Sequence, residues 1–398
     1  MSKKKTPAIR FKGFTDDWEQ EQLGKLCEIY DGTHQTPKYT ESGVMFLSVE
    51  NIGKLKSNKF ISEQDYKKNF KVFPEYGDVF MTRIGDIGTA NVLQERQPIA
   101  YYVSLALLKP LYLDSFFLNE CINSPSVKKE LWHRTLHIAF PKKINKNEIS
   151  KVLITYPTII EQKKIGQYFK ALDNLITLHQ RKCEKLKIFK KAMLEKMFPK
   201  NNKKIPEVRF KGFTDAWEQY KFEQLYKKIN VKNDLSYTEQ DIISVANMYY
   251  KTDTYISNKE YLKTYNVFKI GDIAFEGNKN KNFTHGRFVA NTIGPGIISH
   301  VFDVFTPIMD YDLCFWKYAI NNELIMRDIL IRSTKSSTMM TNLVANDFME
   351  EKMLVPCVPE QKQIGQTLQC IDNLITLHQR KVEKLQIIKK SMLEKMFV

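Results

Sequence analysis

Apolar residues recur three and four positions apart at Phe169, Leu172, Ile176, Cys183, Leu186, Met193 and Met197, and the rhythm returns at Leu368, Ile371, Ile375, Val382, Leu385, Met392 and Met396. Such spacing keeps one apolar seam on a helix, so each stretch predicts a long helix and the two together predict a coiled coil. The first seam runs ~43 Å at a rise of 1.5 Å per residue. His179 and His378 fall on d-type positions and Lys190 and Lys389 on a-type positions. A polar residue there sets helix register, a reading we favour over metal binding or catalysis by the histidines. Pro157 and Pro356 stand just ahead of the helices, and Pro199 with the polar run to Lys204 closes the first one.

Elsewhere the pattern changes to short β-rich runs separated by turn residues. Strands are predicted over 44–50, 78–82 and 101–108, and again over 241–245, 272–275 and 296–302. Helical periodicity marks 114–123, 126–136 and 312–330. The Gly85-to-Thr89 stretch is too short for a dinucleotide-binding turn and predicts a hairpin or tight loop.

The two long seams belong to a larger duplication. Arg10-Phe-Lys-Gly-Phe-Thr-Asp-Asp-Trp-Glu-Gln20 returns at Arg209 to Gln219 with one difference, 199 positions on. Residues 161–198 return at 360–397 with 28 of 38 identical, and Asp173 to Lys182 reappears unchanged at Asp372 to Lys381. Between these flanks the halves diverge, apart from echoes such as Gly77-Asp78 against Gly271-Asp272. Two long repeats imply a pseudo-two-fold molecule rather than a solenoid. The expected fold class is therefore α+β: two mixed α/β domains with two long helices that carry coiled-coil seams. Trp18 and Trp217, inside the repeated openings, are expected in shared core or at a shared contact.

The 398 residues carry 61 Lys and Arg against 45 Asp and Glu, a net charge of +16. Such a balance points to a polyanionic partner, and nucleic acid fits better than a membrane because no basic helix has a lipid-seeking face. Positive charges at the N-terminus lack an apolar segment behind them, and no stretch approaches the ~18 apolar residues of a membrane span. A cytoplasmic protein is expected. Its six cysteines form no C-x-x-C pair, so they are expected to be reduced and mostly buried, with no metal site.

The P-x-x-x-E-Q sequence before each long helix, the R-F-K-G-F-T-D-x-W-E openings and the divergent middles together resemble the specificity subunits of type I restriction-modification systems. Asp31-Gly-Thr-His-Gln-Thr-Pro-Lys-Tyr39, followed by Gly43 to Asn51, also resembles a common target recognition domain of that family. The resemblance implies a first recognition domain at 1–156, a spacer helix at 157–198, a linker at 199–206, a second recognition domain at 207–355 and a second spacer helix at 356–398. It implies that the two helices pack as an antiparallel coiled coil and that each domain reads one half of a bipartite, asymmetric site in double-stranded DNA. Two methyltransferase subunits and two nuclease-translocase subunits are the implied protein partners. S-adenosylmethionine, ATP and Mg2+ would then belong to those partners and no cofactor to this chain. The seam residues Phe169, Leu172, Ile176, His179, Leu186 and Met193, with Leu368, Ile371, Ile375, His378, Leu385 and Met392, are the expected coiled-coil and docking set.

Catalytic signatures are missing from the sequence. Asn123-Ser-Pro-Ser126 lacks the second proline and the aromatic of an adenine-methyltransferase loop, and there is no phosphate-cradling G-x-x-x-x-G-K-(S/T) stretch. Asp347, Glu350 and Lys352 make a triplet that arises by chance in a chain rich in Glu and Lys. A non-catalytic DNA reader is expected, against two alternatives: a stand-alone modifying or nicking enzyme, and a regulator, which would need a helix-turn-helix signature. Base reading calls for Arg or Lys against guanine and Asn or Gln against adenine. The candidates are Thr33, His34, Gln35, Lys38, Tyr39 and Arg83 in the first half. In the second they are Asn278, Lys279, Asn280, Lys281, Arg287, Arg332 and Lys335. Lys142 and Lys143 are candidate phosphate contacts, which position without reading sequence.

Overall fold

A computed structural model describes residues 6–200, 203–252, 256, 258–281, 283–336 and 340–398. Asn201 and Asn202 of the expected linker and Asn282 of the candidate cluster lie outside the described residues. Two compact units form: residues up to Gln180 together with Gln379–Val398, and Arg181–His378. Each long helix is therefore shared. The first, Ile159–Lys196, begins in the first unit and ends in the second, and the second, Val358–Lys395, does the reverse.

In the first unit a four-stranded antiparallel sheet runs in the order Cys27–Asp31, Leu105–Pro110, Val79–Ile84, Asp86–Val92. A three-stranded sheet of Phe60–Ile61, Val44–Leu47 and Ile99–Tyr101 lies beside it, with its own apolar cluster around Phe46, Phe80 and Tyr101. Helices Ser115–Asn123 and Pro125–His133 are capped by Asp114 and Ser124, whose side chains accept from the first-turn amides. The predicted 44–50 strand stops at Leu47 because Ser48 and Asn51 form a capping box around a 3-10 turn. The predicted 101–108 strand splits where the Leu105 amide turns back onto the Tyr102 carbonyl. Gly85, with φ +81°, closes the expected hairpin between Val79–Ile84 and Asp86–Val92.

The second unit repeats the layout with other residues: Tyr226–Ile229, Val304–Pro307, Ile273–Glu276 and Arg287–Ala290 form a sheet of the same order. The predicted helix over 312–330 is two, Leu313–Ala319 and Glu323–Ser333. Asn322 interrupts it by accepting from the Leu324 amide and capping the second helix. Strand expectations over 241–245 and 296–302 shrink to Ile243–Ser244 and Gly296–Ile298, since turns take up the remainder.

Inward residues of the repeated flanks hold each unit together internally. Arg10 donates two hydrogen bonds to Glu161 at 2.7 Å, and Arg209 does the same to Glu360 at 2.8 Å. Gln162 donates to the Pro157 carbonyl and accepts from the Asp114 amide, while Gln361 does the same with Pro356 and Asp312. Gly166 passes so close to the cap of Ser115–Asn123 that a Cβ would lie 2.7 Å from Asp114 and 2.9 Å from the Phe117 amide; Gly365 is tighter still, 2.5 Å from the Phe315 amide. The E-Q-x-x-x-G stretch is thus a bracket between helix start and domain.

Helix ends complete the cores. In the first unit Phe397 packs against Trp18, Phe117 and Phe169; in the second Phe198 packs against Trp217 and Phe315. Lys389 donates to both oxygens of Asp173 at 2.7–2.8 Å and lies 3.2 Å from Glu120. In the second unit Lys190 donates to Asp372 at 2.7–2.8 Å, and the Tyr318 hydroxyl donates to the same carboxylate at 2.7 Å. Since Phe169 meets Phe397 and Asp173 meets Lys389, the helices run antiparallel within the unit. Residue i of one copy meets j of the other and j meets i, the signature of an isologous interface. The architecture is the expected α+β one, with a pseudo-two-fold repeat and a helical pair. Among the described residues no helix is long and apolar enough to cross a membrane.

Three of the six cysteines, Cys27, Cys121 and Cys183, are buried, and burial pushes the first two thiols up to about 12. Cys357 and Cys370 are exposed, so burial is less general than expected.

Candidate nucleic-acid interface

Three segments of the first unit meet at one edge of its four-stranded sheet. After Asp31 the chain passes Gly32, where a Cβ would sit 2.4 Å from the Tyr101 carbonyl, and Thr33 then pairs with the Tyr101–Val103 backbone. His34, Gln35, Lys38 and Tyr39 follow on an exposed loop. Tyr39 is held edge-on against Phe46, with Lys59 over its ring. The second segment is the turn at Gly85. The third is a hairpin, in which the Leu136 amide donates to the Lys143 carbonyl, and the Gly85 amide bonds to the Lys142 carbonyl.

Arg83 joins the three and is not exposed to a groove. It is 6% exposed, its Nε donates to the Ile144 carbonyl at 3.1 Å, and its guanidinium pairs with Asp31. A buried, paired guanidinium makes a brace, so Arg83 positions the loop and the hairpin instead of reaching a base. Lys142 and Lys143 are exposed, and the Lys142 ammonium stands 4.4 Å from the Trp132 ring.

The second unit places its candidates on the corresponding edge. The loop after Glu276 carries Asn278, Lys279, Asn280 and Lys281 and returns through Gly286, φ +78°. The hairpin Thr334–Ser336 with Thr341–Leu343 lies against it, since Asn278 bridges Met340 and the Thr341 amide donates to the Gly277 carbonyl. Lys335 is exposed there. Two arginines are occupied. Arg287 donates to Glu276 and the Ala246 carbonyl, each at 2.6 Å. Arg332 makes a two-pronged pair with Glu351 at 2.6–2.7 Å, which holds the guanidinium pKa above its ordinary value. Glu350 accepts from Lys221 at 2.6 Å.

On the helices, Phe169, Leu172 and Leu368 are buried in the unit cores, Ile371 and Ile375 are buried in a seam cluster with Cys183, and Ile176 is buried as well. His179, Leu186, Met193, His378, Leu385 and Met392 are half-buried along the seam. These residues serve the coiled coil; the six buried ones offer no surface for docking. The outward face carries a different apolar set: Leu175, Leu178 and Ile387 in the first unit, Leu374, Leu377 and Ile188 in the second. Ile188 and Ile387 are 70% and 69% exposed, so the duplication extends to the surface. Sequence periodicity picks out the seam and passes over this stripe, because the outer positions are interspersed with Lys, Arg and Gln.

Known proteins agree with this geometry. Residues 15–188 match the family model for the type I restriction modification DNA specificity domain. The type I restriction enzyme MjaVIII specificity subunit of Methanocaldococcus jannaschii is 23% identical over 279 residues, which cover 63% of this chain and 62% of that protein. The match thus spans a little under two thirds of that relative. The crystal structure of the type I restriction-modification S subunit from M. genitalium has the same fold, with a TM-score of 0.64 over 99% of both chains at 13% identity. A chain from a structure concerned with complex assembly and conformational transition of a type I system aligns with a TM-score of 0.51 over 94% of this chain and 96% of that one, at 12% identity. The first half of the chain thus resembles the type I restriction modification DNA specificity domain, its architecture is repeated in the second half, and the whole chain has the fold of type I S subunits.

Proposed function

We propose that the first unit reads one half of a bipartite, asymmetric DNA site, the second unit reads the other, and the chain itself performs no catalysis. The observation that carries this reading is the contrast between two sheet edges of one topology bearing unlike polar loops and two helix faces bearing like apolar stripes. Unlike edges suit two different base sequences; like stripes suit two copies of one partner. The partners are methyltransferase subunits on the outward stripes Leu175, Leu178, Ile387 and Leu374, Leu377, Ile188, joined by two nuclease-translocase subunits for cleavage. S-adenosylmethionine, ATP and Mg2+ act in those subunits. Thr33 to Tyr39 and Lys335 with Asn278 to Lys281 lie where base edges would be met, and Lys142 and Lys143 where phosphates would be, in the bacterial or archaeal cytoplasm.

Single-molecule sequencing of host DNA tests the reading: methylated adenines should mark one motif made of two unlike halves and a fixed gap. A single undivided motif, or methylation by the purified chain alone, refutes it. The helices should also act as a ruler. Seven residues inserted after both Lys182 and Lys381 preserve the seam and add ~10.5 Å, or ~3 base pairs, to the unspecified gap.

A further inference from the structure

The hairpin that closes the first unit's edge ends in a feature the polar candidates do not explain. Between Leu136 and Lys143 the chain reads His-Ile-Ala-Phe-Pro-Lys, and Ile138 and Phe140 are 99% and 103% exposed. No other large apolar side chain in either unit's described surface reaches these values. The backbone beneath is pinned on both sides, by the Leu136–Lys143 pair and by bonds from Gly85 to the Lys142 carbonyl and from Ile144 to the Arg83 carbonyl. His137 packs against Trp132 at a 60° tilt, ring centroids 4.5 Å apart, with Lys142 over the same indole. A braced backbone therefore holds two apolar side chains out in water above a basic, aromatic base.

We propose that Phe140, with Ile138, is an apolar wedge that enters a base step of the first half-site and unstacks it. This rests on the reading of the first unit as a DNA reader. Apolar wedges between base steps are a common means of bending a duplex, and they work beside cations that hold the adjoining phosphates. Lys142 and Lys143 supply those cations next to the tip, and Arg83 ties the hairpin to the loop that carries His34, Gln35 and Lys38. Position within the repeat argues against a protein occupant. In the second unit the chain between the paired strands Thr334–Ser336 and Thr341–Leu343 has a different sequence, Ser-Thr-Met-Met, so a partner bound twice through this element would meet two unlike sequences. Two half-sites of different sequence call for such a difference. Flexible pyrimidine–purine steps are the natural target.

The test uses the full chain co-expressed with its methyltransferase subunit and ~40-base-pair duplexes carrying the mapped site or a scrambled one, with 2-aminopurine moved step by step through the first half-site. Wild type should raise the fluorescence at one step. Phe140→Ala should abolish that rise and weaken binding to the site on the order of 10-fold, the size of a lost stacking contact. Phe140→Trp should keep both. Because Phe140 is fully exposed, the thermal midpoint of Phe140→Ala should match wild type. A wild-type complex without a fluorescence rise, or an unchanged rise and affinity in Phe140→Ala, overturns the wedge. So does a Phe140→Ala chain that loses the methyltransferase subunit in the absence of DNA, which would make the tip a protein contact. Equal wild-type affinity for both duplexes, with Phe140-dependent unstacking retained, overturns the half-site reading and leaves the wedge standing.

Discussion

The two units contain the same lysine–aspartate clamp with different third members. In the first, Lys389 meets Asp173 and the carboxylate of Glu120, which is 2% exposed; in the second, Lys190 meets Asp372, whose carboxylate also accepts from the Tyr318 hydroxyl. Lysine and aspartate come from the repeated helices, while Glu120 and Tyr318 come from equivalent helices of the divergent middles. The first clamp thus holds two acidic groups against one cation, and the second is charge-balanced with a neutral donor. Burial raises the pKa of Glu120, and burial followed by the bond to Asp372 raises that of Tyr318. Burial by itself would lower the Lys389 ammonium, but Glu120 and Asp173 outweigh it and the net direction is upward. Repeated flanks therefore determine that the helices lock, and each middle determines how firmly and over what pH range.

The largest expected effect separates the units by function. Replacing residues 21–156 with the matching segment of a type I specificity subunit should exchange one half of the methylated motif completely and leave the other untouched. A motif altered in both halves would show that the edges do not read independently.

Next comes the clamp. Lys389→Met strands the buried Glu120 beside Asp173 and should cost ~3 kcal/mol in urea unfolding of the first unit. Lys190→Met should cost only ~1 kcal/mol, since Asp372 is partly solvated and keeps the Tyr318 hydrogen bond. Equal losses would remove the distinction drawn between Glu120 and Tyr318.

Within the first edge, Gln35→Ala should cost ~1–3 kcal/mol at one base position and relax discrimination there. Lys142→Ala should weaken binding to every sequence and reduce the salt slope by about one ion. Arg83→Ala should lower the thermal midpoint and weaken all sequences alike, because it frees the loop and the hairpin together. Binding isotherms on specific and random duplexes at several salt concentrations distinguish these three behaviours.

The smallest effect is in pH dependence. Glu120 holds its proton more tightly folded than unfolded, so its contribution to stability grows as pH falls through the raised folded value toward the ordinary ~4.3. Lys389 contributes stability that is full below its ordinary ~10.4 and is lost as pH rises through its raised folded value. Glu120→Gln should flatten the acid-side slope with a change under about 1 kcal/mol at neutral pH, whereas Tyr318→Phe should leave that slope alone. Unfolding followed from pH 4 to 8 checks both.

Period and identity carried much of this molecule. A heptad seam from Phe169 to Met197, matched at Leu368 to Met396, reports a helical pair because apolar spacing is a local property of the chain. The 199-residue offset likewise reports a pseudo-two-fold, and the unlike middles report two different surfaces. Arg83 was legible as a groove residue by its chemistry alone; its burial against Asp31 and Ile144 depends on strands brought together from 27–31, 79–84 and the hairpin at 136–143. Ile138 and Phe140 carried only a weak mark, an apolar run of no regular period between basic residues. The exchange of helix ends was beyond the sequence, since Lys389 meets Asp173 across 216 positions and nothing local distinguishes that pairing from one within its own half. Local pattern sets which elements form; which buried charge meets which partner is decided only when the chain closes and water is excluded.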